Sequence, residues 1–184
     1  MRTFQILSVF AVSTIVSIAA FAAPPEVPSL PPYIVLSDNL DEPNDYGFCI
    51  DTMSRGLNDL MQSHTCKPAR EGAERNSPDN DVRFMYNADT MQVASYAYEG
   101  LCMQALLASG RDTVFALLEC SDAPRQKFVY NQDDKTLRLE EDQARCVGVV
   151  SETASAGPWV ARGMVLASCE ELEDSLKQWT VVSE

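Results

Sequence analysis

The sequence runs to 184 residues, with 14 Lys plus Arg against 27 Asp plus Glu, a net charge of −13, six cysteines and one histidine. So acidic a chain repels phosphate backbones and anionic lipid, which argues against nucleic-acid partners and membrane insertion. No C-x-x-C pair occurs and only His64 could join the cysteines, so nothing calls for a metal or another cofactor.

Residues 1–22 carry a single charge, Arg2, then an apolar run from Phe4 to Phe21 that ends in Ala20-Phe21-Ala22. A basic start, an apolar middle and a small-x-small end describe a cleaved secretory signal with the cut after Ala22. A short membrane anchor is the weaker alternative, because the run barely reaches the roughly 18 to 20 residues of a spanning helix. The expected location is therefore secreted or periplasmic, and the remaining chain is long enough for one sizeable core and short for two.

Residues 23–32 hold five prolines, at 24, 25, 28, 31 and 32, which predict an extended, semi-rigid tail without hydrogen-bonded structure. The globular domain is expected over residues 33–184. It begins with the apolar run Tyr33-Ile34-Val35-Leu36, which reads as a strand followed by a turn-rich segment. Equivalent short strands stand at Met91-Gln92-Val93 and Leu137-Arg138-Leu139, ahead of the second and third cysteine pairs.

Those pairs are the strongest pattern in the chain. Phe48-Cys49-Ile50-Asp51 is followed by Cys66 and then Phe84; Leu101-Cys102-Met103-Gln104 by Cys120 and Phe128; Cys146-Val147-Gly148 by Cys169 and Trp179. First cysteines at 49, 102 and 146 give a period of roughly 40 to 55 residues, the range in which internal repeats define an architecture. In an oxidising compartment six cysteines form a disulfide framework. Of the 15 connectivities open to six cysteines, the repeat selects Cys49 with Cys66, Cys102 with Cys120 and Cys146 with Cys169.

Apolar runs elsewhere are short and broken by Asp, Asn, Gly, Ser and Pro, which predicts an all-β fold of about four strands per unit. Residues 89–107 and 170–176 leave room for a turn or two of helix. Three units closing into one barrel-like body would leave no free sheet edge. An aromatic at the same place in each unit, Phe84, Phe128 and Trp179, suits burial near a threefold axis.

Over residues 33–182 these features resemble the ricin B-type lectins, a β-trefoil family of carbohydrate-binding domains. The resemblance rests on the triple cysteine pattern, the three aromatics and one complete closing motif, Gln126-Lys127-Phe128. Two units depart from that motif, with Lys177 before Gln178-Trp179 and Val82 before Arg83-Phe84. The implied fold is a β-trefoil with pseudo-threefold symmetry, and the implied function is sugar binding without catalysis.

In the family an acid stands two places after the first cysteine, an amide four before the second, a ring two before it, and an asparagine ahead of the closing motif. These places fall on Asp51, Gln62 and His64, with Asp81 and Asn80 ahead of Phe84. A carboxylate accepting from sugar hydroxyls makes charge-assisted hydrogen bonds. His64 is a smaller platform than Trp or Tyr, and an ionised Asp81 can only accept. The long loop over residues 67–80 could cover or reshape the pocket. The second unit offers Gln104, Ala116 and Leu118 at the equivalent places and the third Gly148, Val165 and Ala167, so at most one sugar pocket is expected. Read without the family, Asp51 is equally a turn acid and His64 a loop residue.

No catalytic set emerges. The acid runs Glu140-Glu141-Asp142 and Glu170-Glu171 read as solvated, every cysteine is claimed by a disulfide, and His64 has no nucleophile beside it. The expected partner is a glycan or glycoconjugate. The alternative is a secreted docking subunit, such as a lectin-like non-catalytic toxin component, whose partner is a protein and whose sugar binding is lost.

Overall fold

The computed structural model describes residues 23–57, 59–106 and 114–183; the expected signal, residues 1–22, lies outside them. Three copies of one strand pattern build the body. The first unit contributes β1 (Tyr33–Leu36), β2 (Phe48–Thr52), β3 (Asp59–Thr65) and β4 (Phe84–Asn87). The second contributes β5 (Gln92–Ser95), β6 (Leu101–Leu106), β7 (Val114–Glu119) and β8 (Phe128–Asn131). The third contributes β9 (Thr136–Leu139), β10 (Asp142–Val149), a short extra strand β11 (Ala154–Ala156), β12 (Trp159–Ser168) and β13 (Trp179–Val182).

Register makes the repetition quantitative. The last strand of each unit pairs antiparallel with the first strand of the next, and the recurring aromatic heads each pairing: Phe84 opposite Ser95, Phe128 opposite Leu139, Trp179 opposite Leu36. Pairing of β13 with β1 closes the ring and removes the open edge that a linear sheet would leave. The second and third strands of each unit form hairpins, β2 with β3, β6 with β7 and β10 with β12. In turn β3 pairs with both β7 and β12, so the hairpins meet on one side of the barrel. The fold is a β-trefoil.

Side-chain hydrogen bonds repeat with the same symmetry. The Tyr86 hydroxyl donates to the Phe128 carbonyl and the Tyr130 hydroxyl to the Trp179 carbonyl, each at about one unit's remove. Phe84, Phe128 and Trp179 are fully buried in one core with Ile34, Leu36, Phe48, Phe115 and Leu137. Trp179 also satisfies its indole N–H on the Val147 carbonyl at 2.9 Å, as a buried indole requires. Disulfides join Cys49 to Cys66, Cys102 to Cys120 and Cys146 to Cys169, the pairing that the repeat selects.

Among the described residues, helix is confined to two 3-10 turns, Pro78–Asn80 and Pro124–Gln126, and to one α-helical turn, α1 (Asp174–Lys177). Of the two stretches with room for helix, the one over residues 89–107, in its described part up to residue 106, instead forms a turn, β5 and β6. Residues 23–32 differ from the expected unbonded tail. They are extended and lie against the trefoil, with Glu26 N–H bonded to the Asp45 carbonyl, Ala69 N–H to the Pro28 carbonyl and the Ser29 hydroxyl to the Lys67 carbonyl at 2.6 Å. Proline lacks an N–H but keeps its carbonyl, so a proline-rich strap docks by accepting. Arg83 donates to Pro31 O in the same way.

Candidate functional site

Strand alternation sends Cys49 and Asp51 to one side of β2, and Gln62 and His64 to one side of β3. The hairpin register sets Asp51 opposite Gln62 and Cys49 opposite His64. The disulfide to Cys66 fixes the end of this hairpin, and the 3-10 turn Pro78–Asn80 delivers Asp81 beside it. The result is a cleft of about 550 Å³ lined by Asp51, Gln62, His64 and Asp81 together with Thr52, Ser54, Arg55 and Lys67. Ser155 and Ala156 of β11 add a wall from the third unit.

Of the residues expected at the site, four therefore converge. Asn80 does not: its amide donates to the Glu74 carbonyl and its oxygen accepts from Arg83, which makes it a brace for the loop.

The cleft is an ion cluster. Lys67 Nζ lies 2.9 Å from Asp51 Oδ2 and 3.9 Å from Asp81 Oδ2. Arg55 Nε lies 3.9 Å from Asp81 Oδ2 with its side chain 52% exposed, whereas that of Asp51 is 1% exposed. Asp51 Oδ1 accepts from Thr52 N–H at 2.7 Å; Oδ2 is buried and accepts no hydrogen bond of good geometry, so the ammonium contact is its compensation. The carboxylate expected to meet sugar hydroxyls is thus covered by Lys67.

Burial lowers the His64 pKa, outweighing the opposing pull of Asp51 and of the hydrogen bond to Thr65. The neutral ring donates from Nδ1 to the Thr65 carbonyl at 2.8 Å, which leaves Nε2 as an acceptor. Burial also pushes the Asp81 carboxyl up to about 6, against the stabilising effects of Lys67, the Tyr98 hydroxyl and Arg55. Tyr98 donates to Asp81 Oδ1 at 2.9 Å and is itself raised to about 12, by burial and by that bond.

Equivalent places in the other units offer no such polar cluster: in the third, Val165 and Ala167 line a cleft of about 360 Å³ with Leu172 and Leu176. Gln104 accepts from Gln126 Nε2 at 3.1 Å, and Gln126 also donates to the Glu119 carbonyl and accepts from Ser121 N–H. At Gly148 a Cβ would stand 2.8 Å from Leu172 Cδ1 and 2.8 Å from the Leu176 carbonyl oxygen, so Leu172 and α1 pack directly on that position. Among the described residues no group of three or more His, Cys, Asp or Glu is arranged to hold a metal ion.

Sequence reasoning missed Lys67, Arg55 and β11. Lys67 directly follows Cys66 and Arg55 lies in the turn between β2 and β3, so both had a positional signal; Ser155 reaches the cleft through tertiary contact alone.

No protein-family model matches the sequence, and no curated protein is similar to it. Solved structures do share its fold. The β-trefoil lectin of the Vibrio vulnificus hemolysin/cytolysin, with N-acetyl-D-lactosamine bound, superposes with a TM-score of 0.52 at 11% identity, covering 83% of this chain and 93% of that one. The C-half of the earthworm R-type lectin, in complex with GalNAc, gives 0.53 at 8% identity, covering 84% of this chain and 100% of the other. A non-toxic homologue of type II RIPs from bitter gourd, in complex with α-methyl-D-galactoside, gives 0.53 at 13% identity over 81% of this chain and 46% of that one. At such identities the likeness is one of fold, and the fold that this chain shares with these lectins is the β-trefoil.

Proposed function

We propose that the chain is a secreted, non-enzymatic carbohydrate-binding protein with a single sugar pocket, in the first unit. The observation that carries this reading is the contrast in chemistry between units: a polar, charged cleft at Asp51, Gln62, His64 and Asp81 in the first, against Gln104 bonded to Gln126 in the second and a smaller cleft lined by Val165, Ala167, Leu172 and Leu176 in the third. Sugar complexes among the structures of the same fold support it. So do the three disulfides, which suit an exported protein.

Catalysis is not part of the proposal. Glu140 and Glu141 are exposed on a turn, Asp142 is exposed at the start of β10, and all six cysteines are oxidised. His64 spends Nδ1 on a backbone carbonyl, and among the described residues no serine or cysteine nucleophile is paired with it.

The test is a glycan-array screen of the oxidised chain beside Ala156→Trp, a substitution that fills the cleft from β11 while leaving the ion cluster intact. Binding by the parent and its loss in the folded variant are expected. Silence of a folded parent would move the reading to a docking subunit and to a search for its protein partner. Binding that survives Ala156→Trp would place the sugar elsewhere on the trefoil.

A further inference from the structure

A carboxylate that reads vicinal hydroxyls has to present an oxygen to the ligand. Asp51 does not: one oxygen is held by Thr52 N–H, and the other is buried under Lys67 at 2.9 Å. What the cleft offers instead is cationic. Arg55 is the most exposed ionic group on its wall, at 52%, and Lys67 lies behind it with 14% of its side chain exposed. Asp81, the second carboxylate, has its side chain 5% exposed and is engaged by the Tyr98 hydroxyl.

From this arrangement, and resting on the sugar-binding reading above, we propose that the first-unit cleft selects acidic glycans, gripping a carboxylate or sulfate group with Arg55 while Lys67 supplies the charge behind it.

The guanidinium has the shape for this. Its planar fork matches a carboxylate or sulfate edge in two parallel hydrogen bonds. Arg55 donates from Nη2 to the Asn76 carbonyl at 3.1 Å, which orients the fork, and its contact with Asp81 is a loose 3.9 Å that an incoming anion can outcompete. Neutral donors and acceptors for the sugar ring come from Gln62, Ser54 and Ser155 around the same cleft. Asp51 becomes a positioning residue: it fixes Lys67 and touches no ligand.

The overall charge of −13 acts the other way. At physiological ionic strength it matters little, because charges more than about 8 Å away are largely screened. A cation in contact with the ligand is not screened to that extent. Two cations, Arg55 and Lys67, and two carboxylates, Asp51 and Asp81, make the cluster neutral when all are ionised. An acidic group therefore meets no net local repulsion, and it meets Arg55 first.

The experiment is an array of neutral oligosaccharides printed beside their uronic-acid, sialylated and sulfated counterparts, probed with the oxidised parent, Arg55→Ala and Arg55→Lys. The parent should bind acidic members at least about tenfold more tightly than their neutral partners. Arg55→Ala should erase that preference with an unchanged melting temperature, and Arg55→Lys should restore part of it. The carboxylated and sulfated arms report which anion is held. Equal or stronger binding of neutral partners would overturn the acidic preference while leaving the sugar-binding reading intact. So would an acidic preference that survives Arg55→Ala. Silence across the whole array would overturn both.

Discussion

Lys67→Met removes the ammonium from the first-unit cleft and keeps most of the apolar stem. The pair it breaks is short and enclosed: 2.9 Å between Nζ and Asp51 Oδ2, with side chains 14% and 1% exposed. At an effective dielectric constant of about 20, two unit charges at that distance attract by about 6 kcal/mol. Desolvation of both ions offsets part of this, so the pair contributes much less net stability than the attraction alone. Removing one partner is a different matter, because the remaining Asp51 is then a buried charge with a single hydrogen bond, from Thr52 N–H. The expected loss is about 3–5 kcal/mol, a large part of a typical domain's stability.

Asp51→Asn is expected to cost less. Its carbonyl still accepts from Thr52, and Lys67 retains Asp81 at 3.9 Å. The double variant, with neither charge, should recover to within about 2 kcal/mol of the parent, since a buried pair replaced as a whole is nearly neutral. Urea unfolding at pH 7 with the disulfides intact measures all four corners of this cycle. A Lys67→Met loss below about 1 kcal/mol, or a double variant equal to the sum of the singles, would refute the claim that Lys67 compensates a buried Asp51.

Asp81, held at about 6 in the fold, binds a proton more tightly there than in the unfolded chain. Its contribution is complete below the unfolded carboxylate range near 4 and is lost as pH rises to 6, by about 3 kcal/mol at most. Asp81→Asn should flatten that decline in a pH series of urea midpoints. The lowered His64 pKa acts in the opposite sense, costing stability as pH falls through its folded value, and His64→Gln should remove that loss. Gly148→Ala places a methyl 2.8 Å from the Leu176 carbonyl oxygen and should destabilise by about 1–3 kcal/mol, whereas Gly163→Ala, with its nearest contact at 3.6 Å, is the control without overlap. Trp179→Ala empties a fully buried position and should cost about 3–5 kcal/mol in thermal or urea unfolding, while Trp179→Phe loses the hydrogen bond to Val147 and part of the ring volume and should cost less.

Legibility followed locality. Asp51, Gln62 and His64 could be placed through the family resemblance, by their offsets from Cys49 and Cys66, because one antiparallel hairpin carries them all and register decides which side chains share a face. Phe84, Phe128 and Trp179 could be read because the same strand position recurs in each unit. Asn80 was beyond such rules: it ends a 3-10 turn, where no alternation of two fixes the direction of a side chain. Arg55 and β11 meet in the cleft although about a hundred residues separate them, and composition holds no record of that approach. The prolines of residues 23–32 announce extension and give no hint of the surface that accepts them.

The departures from the closing motif connect these observations. In the second unit Gln126 ties down the chain around Cys120, donating to the Glu119 carbonyl and accepting from Ser121 N–H. Lys177 stands at the same place in the third unit and keeps the tether with a different donor, its ammonium bonding the Cys169 and Leu172 carbonyls. Val82 in the first unit has no donor. It packs instead with Val35 on the Cys49–Cys66 disulfide, so the motif position no longer holds the chain beyond Cys66. The strap holds it in place of the motif, with Ser29 donating to the Lys67 carbonyl and the Pro28 carbonyl accepting from Ala69. The chain that carries Lys67, the ion-pair partner of Asp51, is thus tethered by the Cys49–Cys66 disulfide on one side and by residues 28 and 29 on the other. The trefoil and the proline-rich segment that precedes it therefore both bond the backbone on which the cleft's less exposed cation is carried.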